Sequence, residues 1–211
     1  MFASSRKVKV LCTRKARAAK MGSANVKIRV AQKADAVQIQ EIYGFYAKNT
    51  FVTFAQESPP IEHWEETIEQ GGQAYPFFVA EDSAGTIVGF TYASKLRPHD
   101  AYRWNVELTL YLSDDAPKRR GIGRALFEAI EVTLAAQGIK FIWAVVTAQN
   151  KESIAFHEAM GFSQVAIFPD IGCKGGKWLS VVWLRKQLSE LHDNPSEPLP
   201  FSRLSPPSSA K

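Results

Sequence analysis

The sequence predicts an α+β domain, a mixed α/β arrangement in which helices cover a twisted central sheet. Three observations carry that expectation. Strand-like alternation outnumbers helical periodicity, and the elements run β, α, α, β, β, β, α, β, α, β, β. The 211 residues, 45% of them hydrophobic, suit one domain with tails. An alternating run, Val106 to Leu112, leads through Lys118-Arg119-Arg120-Gly121-Ile122-Gly123-Arg124 into an amphipathic run from Ile122 to Gln137.

Taken in order, Val26 to Val30 alternates as a strand. Asp35 is placed to cap the next helix, with Gln38 three residues on as its capping-box partner. Ile39, Ile42, Tyr43 and Tyr46 fall on one helical face. Ser58-Pro59-Pro60 opens a second helix, with Ile61, Trp64 and Ile68 on one face and Gly71-Gly72 expected to stop it. Phe77 to Glu81 and Thr86 to Lys95 form a hairpin around Asp82-Ser83-Ala84-Gly85. Trp104 to Leu112 is the next strand, and Gly138 ends the long helix that follows it. Ile139 to Thr147 is a buried strand, and Asn150 opens a short helix that Gly161 closes. Gln164 to Phe168 and Trp178 to Arg185 complete the sheet.

The domain is expected over residues 26–188. Residues 189–211 turn Pro- and Ser-rich and are expected to be a disordered tail. Residues 1–25 hold Arg6, Lys7, Lys9, Arg14, Lys15, Arg17 and Lys20 and no acid. That extension alone exceeds the chain's net +5, so the folded part is slightly acidic and no nucleic-acid surface is expected on it. The extension reads as a disordered solvated arm, an organelle-targeting segment, or upstream sequence before an effective start at Met21. No apolar run approaches the ~20 residues that span a bilayer, so no membrane partner is expected. Cys12 and Cys173 make no disulfide framework, and a reducing, cytoplasmic setting is the default. His63, His99, His157 and His192 lack metal-ligand spacing, so no metal is expected.

A strand, an Arg/Gly turn and a helix together hold phosphate. Gly121 and Gly123 have no Cβ, so backbone can approach an anion closely. The first N–H groups of the helix lack intrahelical partners and carry the positive end of its dipole. The arginines add charge-assisted bonds. No Lys-Ser/Thr follows the glycines, which excludes a Walker A loop, and the dinucleotide fingerprint needs a third glycine.

This stretch resembles the pyrophosphate loop of the GNAT N-acetyltransferases. The order of Glu107, the loop, Asn150-Lys151-Glu152-Ser153-Ile154 and Phe156-His157-Glu158-Ala159-Met160-Gly161-Phe162 is similar to that superfamily. Ala101 to Glu107, His157 to Phe162 and Gly172-Cys173-Lys174-Gly175-Gly176-Lys177-Trp178 resemble its phosphinothricin and methionine sulfoximine acetyltransferase branch. The resemblance covers about residues 26–188. It implies a GNAT fold, acetyl-CoA as cosubstrate, a small amine as acceptor and a homodimer.

It also implies roles for particular residues. Glu107 lies on one strand face with Thr109 and Tyr111, opposite Val106, Leu108, Leu110 and Leu112. On spacing alone it is a solvated strand carboxylate, paired with Arg103, or a functional group; the resemblance makes it the general base that frees the attacking amine. His157 reads as an exposed helical or C-terminal capping histidine. The resemblance makes it a proton donor to the leaving thiolate or an assistant in deprotonation. Leu110, Tyr111 and Leu112 would pair their backbone with the pantetheine amides. Lys118, Arg119, Arg120, Gly121, Ile122, Gly123 and Arg124 would hold the pyrophosphate, and Asn150, a natural N-cap, would also touch CoA. Phe54 and Tyr102 match aromatic acceptor positions, while the roles of Lys174 and Trp178 stay open. Lys118 stands where the family has Arg or Gln. His99 stands where relatives often carry an Arg, with Arg97 nearby, which weakens the expectation of a strongly anionic acceptor. The alternatives are a GNAT acting on a peptide N-terminus or polyamine, and a non-catalytic acyl-CoA sensor, against which Glu107 and His157 together argue.

Overall fold

The computed structural model describes residues 26–204. Expectations for residues 1–25 and 205–211 lie outside them. Seven strands form one sheet in the order β1-β2-β3-β4-β5-β7-β6. They are β1 (Lys27–Val30), β2 (Phe77–Glu81), β3 (Ile87–Lys95), β4 (Asn105–Leu112), β5 (Phe141–Thr147), β6 (Ser163–Lys174) and β7 (Lys177–Gln187). Each neighbouring pair is antiparallel except β4 and β5, which run parallel.

The helices divide between the two faces. On one face α1 (Ala36–Asn49), α2 (Ile61–Glu66) and the turn that continues it bury Ile39, Ile42, Trp64 and Ile68 against Phe77, Val79 and Phe90. On the other, α4 (Ile122–Gln137), α5 (Lys151–Ala159) and the residues just after α5 cover Val106, Leu108, Ile142, Ala144, Val182 and Leu184 with Phe127, Ile130, Leu134, Met160 and Phe162. Each expected element is present, and the alternation of β4 holds: Val106 and Leu108 are buried while Glu107 and Thr109 stay partly open.

Local details differ from expectation for physical reasons. Asp35 does not cap α1 through its side chain. It accepts two bonds from Arg29, at 2.7 and 2.8 Å, and one from the Gln32 N–H at 2.8 Å. Gln38 accepts from the Ile87 N–H instead. Gly71 and Gly72 do not stop the second helix. Both keep right-handed angles, and the chain runs through a π turn (Thr67–Gly71) into the single turn α3 (Gly72–Ala74). β6 extends beyond Phe168 because an irregularity absorbs Pro169 and Asp170 before pairing resumes at Gly172.

The Pro/Ser-rich segment expected to be disordered docks instead, as far as it is described. The Gln137 amide donates to the carbonyls of Ala74 and Leu199, and the Leu199 N–H returns a bond to the Gln137 carbonyl. The Trp104 indole donates to the Ser196 carbonyl, Arg103 pairs with Glu197, and Phe201 meets Phe78 edge-on. Prolines remove few bonds here, because the segment is extended and is held by side chains of the domain.

Candidate active site

β4 and β5 pair only over Asn105–Glu107, with Glu107 opposite Trp143. From Leu108 onward, the backbone groups of β4 that face β5 have no strand partner among the described residues. The same holds for β5 from Ala144 to Thr147 on the β4 side. The two strands splay and open a cleft of about 310 Å³. Its walls include Glu107 to Tyr111 from β4, Ala144 to Thr147 from β5, and Asn150, Ser153 and His157 around α5. Tyr43, Val52, Thr53, Phe54, Tyr92 and Val181 complete it.

Beyond β4 the chain enters the Arg/Gly turn. Arg119 and Gly121 both adopt left-handed angles, φ 58° and 79°, and Gly121 is the N-cap of α4. For Arg119 that conformation is uncommon and costs free energy; for Gly121 it costs little. The first intrahelical acceptor is the Gly121 carbonyl, bonded by the Ala125 N–H, so the amides of Ile122, Gly123 and Arg124 precede the helix's own bonding. Arg124 is exposed, 3.8 Å from Glu128, and Lys118 and Arg119 are exposed beside it. Gly123 is buried, and a Cβ there would meet the Phe156 ring at 3.5 Å. The arrangement suits a phosphate group.

Glu107 and His157 face the same cleft. Burial pushes the Glu107 carboxyl above its ordinary pKa, and the positive charge of Arg97 partly restrains it. Arg103, the partner considered from sequence, is instead engaged by Asp100 and Glu197. His157 is not the exposed histidine that helix position suggests: it is 6% exposed, packed edge-on against Phe156 and Phe162. Burial pushes its pKa down, opposed by a bond to the Ser153 backbone. Its Nδ1 lies 2.7 Å from the Ser153 carbonyl, which only accepts. Nδ1 therefore carries the proton, and in the neutral ring Nε2 is the basic atom.

Asn150 caps α5 as expected, accepting from the Ser153 N–H at 3.1 Å. Of the four acceptor-site candidates, Phe54 reaches the cleft wall. Arg97 is exposed, its guanidinium 5.3 Å from the Trp183 ring centre, but close enough for its charge to act on Glu107. His99 and Tyr102 lie on an exposed turn outside the cleft walls. Leu110 and Tyr111 line the cleft, and Leu112 continues the strand, its carbonyl accepting from the Tyr46 hydroxyl at 2.8 Å. Sequence reasoning missed Tyr43, which read only as an apolar-face residue, Tyr92, which nothing distinguishes within its strand, and Thr147, whose buried hydroxyl has no partner among the described residues. The pattern of the β5 run signals burial but not an orphaned hydroxyl.

Diverging parallel strands with unpaired backbone among the described residues, a helix N-terminus suited to an anion beyond them and two titratable side chains between fit an acyl-CoA-dependent transferase. The chain belongs to the GNAT acetyltransferases: the family model described as an acetyltransferase (GNAT) domain matches residues 28–183. It is an acetyl-CoA-dependent N-acetyltransferase. It is 33% identical to a phosphinothricin N-acetyltransferase of Streptomyces viridochromogenes, over 76% of this chain and 87% of that protein. It is 30% identical to an L-methionine sulfoximine/L-methionine sulfone acetyltransferase of Pseudomonas aeruginosa, over 80% of this chain and 98% of that one. Among solved structures, a phosphinothricin acetyltransferase from Sinorhizobium meliloti in complex with acetyl-CoA superposes with a TM-score of 0.74 and 32% identity, covering 83% of this chain and 94% of the other.

Proposed function

We propose that this enzyme acetylates the α-amine of a small amino-acid-like molecule of the phosphinothricin, methionine sulfoximine or methionine sulfone class. The observation that carries the reading is the pairing of Glu107 and His157 in one cleft, each shifted by burial toward neutrality, beside unpaired β4 backbone. The names of the relatives supply the substrate class.

Acetyl-CoA supplies the thioester, with its pyrophosphate held by residues 118–124, its pantetheine amides along Leu110–Leu112, and Asn150 against CoA. Acceptor amines are protonated at neutral pH, so one proton goes to Glu107 before attack. The lone pair forms the C–N bond, and β4 amides hold the carbonyl oxygen as it gains charge. The adduct nitrogen then holds one proton too many. Neutral His157 takes it at Nε2 and passes it to the departing CoA sulfur as the C–S bond breaks. The products are the N-acetyl compound and free CoA thiol, with the first proton released from Glu107 to solvent.

A second reading, an uncharged-bodied or cationic amine such as a polyamine, draws on one observation. The cleft walls hold Glu107 but no Arg or Lys among the described residues. The proposal includes a homodimer. Val165, Ile167, Phe168 and Ile171 on edge strand β6, and Trp178 on β7, are large apolar side chains left exposed, a pattern that a second copy would cover. Thiol release from acetyl-CoA is the test, run against methionine sulfone, methionine sulfoximine, phosphinothricin, spermidine and a short peptide. Turnover confined to spermidine or the peptide would overturn the amino-acid reading.

A further inference from the structure

Lys174 is the last residue of β6, 7% exposed, with no carboxylate bonded to it among the described residues. Its Nζ lies 2.7 Å from the Ala47 carbonyl and 2.8 Å from those of both Thr50 and Thr53. Three acceptors match the three N–H donors of an ammonium; a neutral amine has only two. Ala47 is in the last turn of α1 and Thr50 is its C-cap, where carbonyls lack intrahelical donors and the dipole favours a cation. The third carbonyl belongs to the loop that continues from α1 into the cleft wall.

Other contacts fix that loop to α1 and to the hairpin formed by β6 and β7. The Tyr43 hydroxyl meets the Thr53 hydroxyl at 2.9 Å, so Thr53 is held by side chain and backbone alike. The Phe54 ring packs against Gly172, where a Cβ would come within 2.6 Å of it. Lys177 stands 5.3 Å from the centre of the Phe51 ring. The turn between β6 and β7 thus grips residues 50–54 from beneath, and Val52, Thr53 and Phe54 line the cleft.

We propose that Lys174 is a positioning residue for the acceptor: its ammonium sets the 50–54 loop, and through Phe54 the shape of the acceptor end of the cleft. It touches neither ligand. The inference rests on the acetyl-transfer reading above. It assigns acceptor recognition partly to the β6–β7 hairpin, which lies more than a hundred residues along the chain from the loop.

Lys174→Met keeps the stem and removes the three donors. Displacements near 1 Å cost up to ~10²-fold, so KM for methionine sulfone should rise about tenfold or more. The Kd for acetyl-CoA by calorimetry should stay within about twofold, because Leu110–Leu112 and residues 118–124 are untouched. In Phe54→Ala the acceptor wall is already lost, so adding Lys174→Met should raise KM little further. Additive effects, an unchanged KM in folded Lys174→Met, or a parallel loss of acetyl-CoA affinity would each overturn the proposal. Should Lys174→Met fail to fold, Gly172→Ala displaces Phe54 while leaving Lys174 in place, and the same KM rise with the same acetyl-CoA affinity is expected. If the wild type acetylates no amine of the panel, the substrate reading fails on its own. Amide exchange of residues 50–56 then tests the clamp: faster exchange in Lys174→Met supports it, and unchanged exchange overturns it.

Discussion

Glu107→Gln tests the mechanism most directly, because it keeps shape and polarity while removing the basic oxygen. General-base loss typically costs ~10²–10⁴-fold, roughly 3–5 kcal/mol on the barrier. We expect kcat to fall within that range at pH 7, with acetyl-CoA affinity near normal. The defect should shrink as pH rises, because more acceptor amine is already deprotonated. The wild-type profile carries a second signature. Burial raises the Glu107 pKa and Arg97 partly lowers it, so the acid limb of kcat/KM should lie above the ordinary carboxylate range. Arg97→Gln removes the lowering influence and should move that limb to still higher pH. Stability gives an independent reading. A carboxyl with a raised folded pKa favours folding most when protonated, and its penalty grows as pH rises through and above the unfolded value. Glu107→Gln should therefore melt above wild type at pH 7, and the gap should close below the pKa of a free carboxylate. Stopped-assay rates and thermal melts across pH check both. If Glu107→Gln keeps most of its activity at pH 7, Glu107 is a structural carboxylate, and His157 or a water chain must be the base.

Gly121→Val should sharply weaken acetyl-CoA binding in calorimetric titration. A β-branched residue is strained at φ 79° and its side chain blocks backbone approach to phosphate; unchanged affinity in a folded variant refutes the loop assignment. Methionine sulfoximine should be a better acceptor than phosphinothricin by kcat/KM, because no cation lines the cleft among the described residues; a strong preference for phosphinothricin would show that Arg97 serves the anion. Truncation after residue 188 should lower the melting temperature by several degrees, because the Gln137 side chain loses the Leu199 carbonyl, the Gln137 carbonyl loses the Leu199 N–H, the Trp104 indole loses the Ser196 carbonyl and Phe78 loses Phe201; an unchanged melt would mean that the docked segment contributes nothing.

What was legible in the chain follows from the range of each interaction. Face alternation in β4, the Asn150 cap and the Arg/Gly turn are local, and short-range sterics and hydrogen bonding encode them within a few residues. The burial of His157 was not legible, since α5 is only nine residues long and its apolar face is weak. Its environment comes from Phe162, beyond the helix, as well as from Phe156 within it. The Lys174 clamp joins residues more than a hundred positions apart, and no periodicity announces such a contact. The docking of residues 196–201 escaped for a related reason. Composition reports that a segment cannot form its own core, but not that Gln137 and Trp104 wait elsewhere to bind its backbone.

The place where β4 and β5 part joins these strands of argument. Glu107 is the last β4 residue paired with β5, opposite Trp143. One step further on, the main chain has unused hydrogen-bonding capacity directed toward β5. The carboxylate and the backbone that the proposed function assigns to the pantetheine amides therefore begin at the same point along one strand. The alternation that sends Leu108 into the core sends Thr109 and Tyr111 to Glu107's side. A one-residue slip of β4 would turn Glu107 to the hydrophobic face beneath α4 and turn Val106 and Leu108 to the opposite face. The buried packing of Val106 and Leu108 against Phe127, Ile130 and Ile142 opposes that slip, so the core that stabilises the sheet also fixes the position of the Glu107 carboxyl, the base of the proposed mechanism.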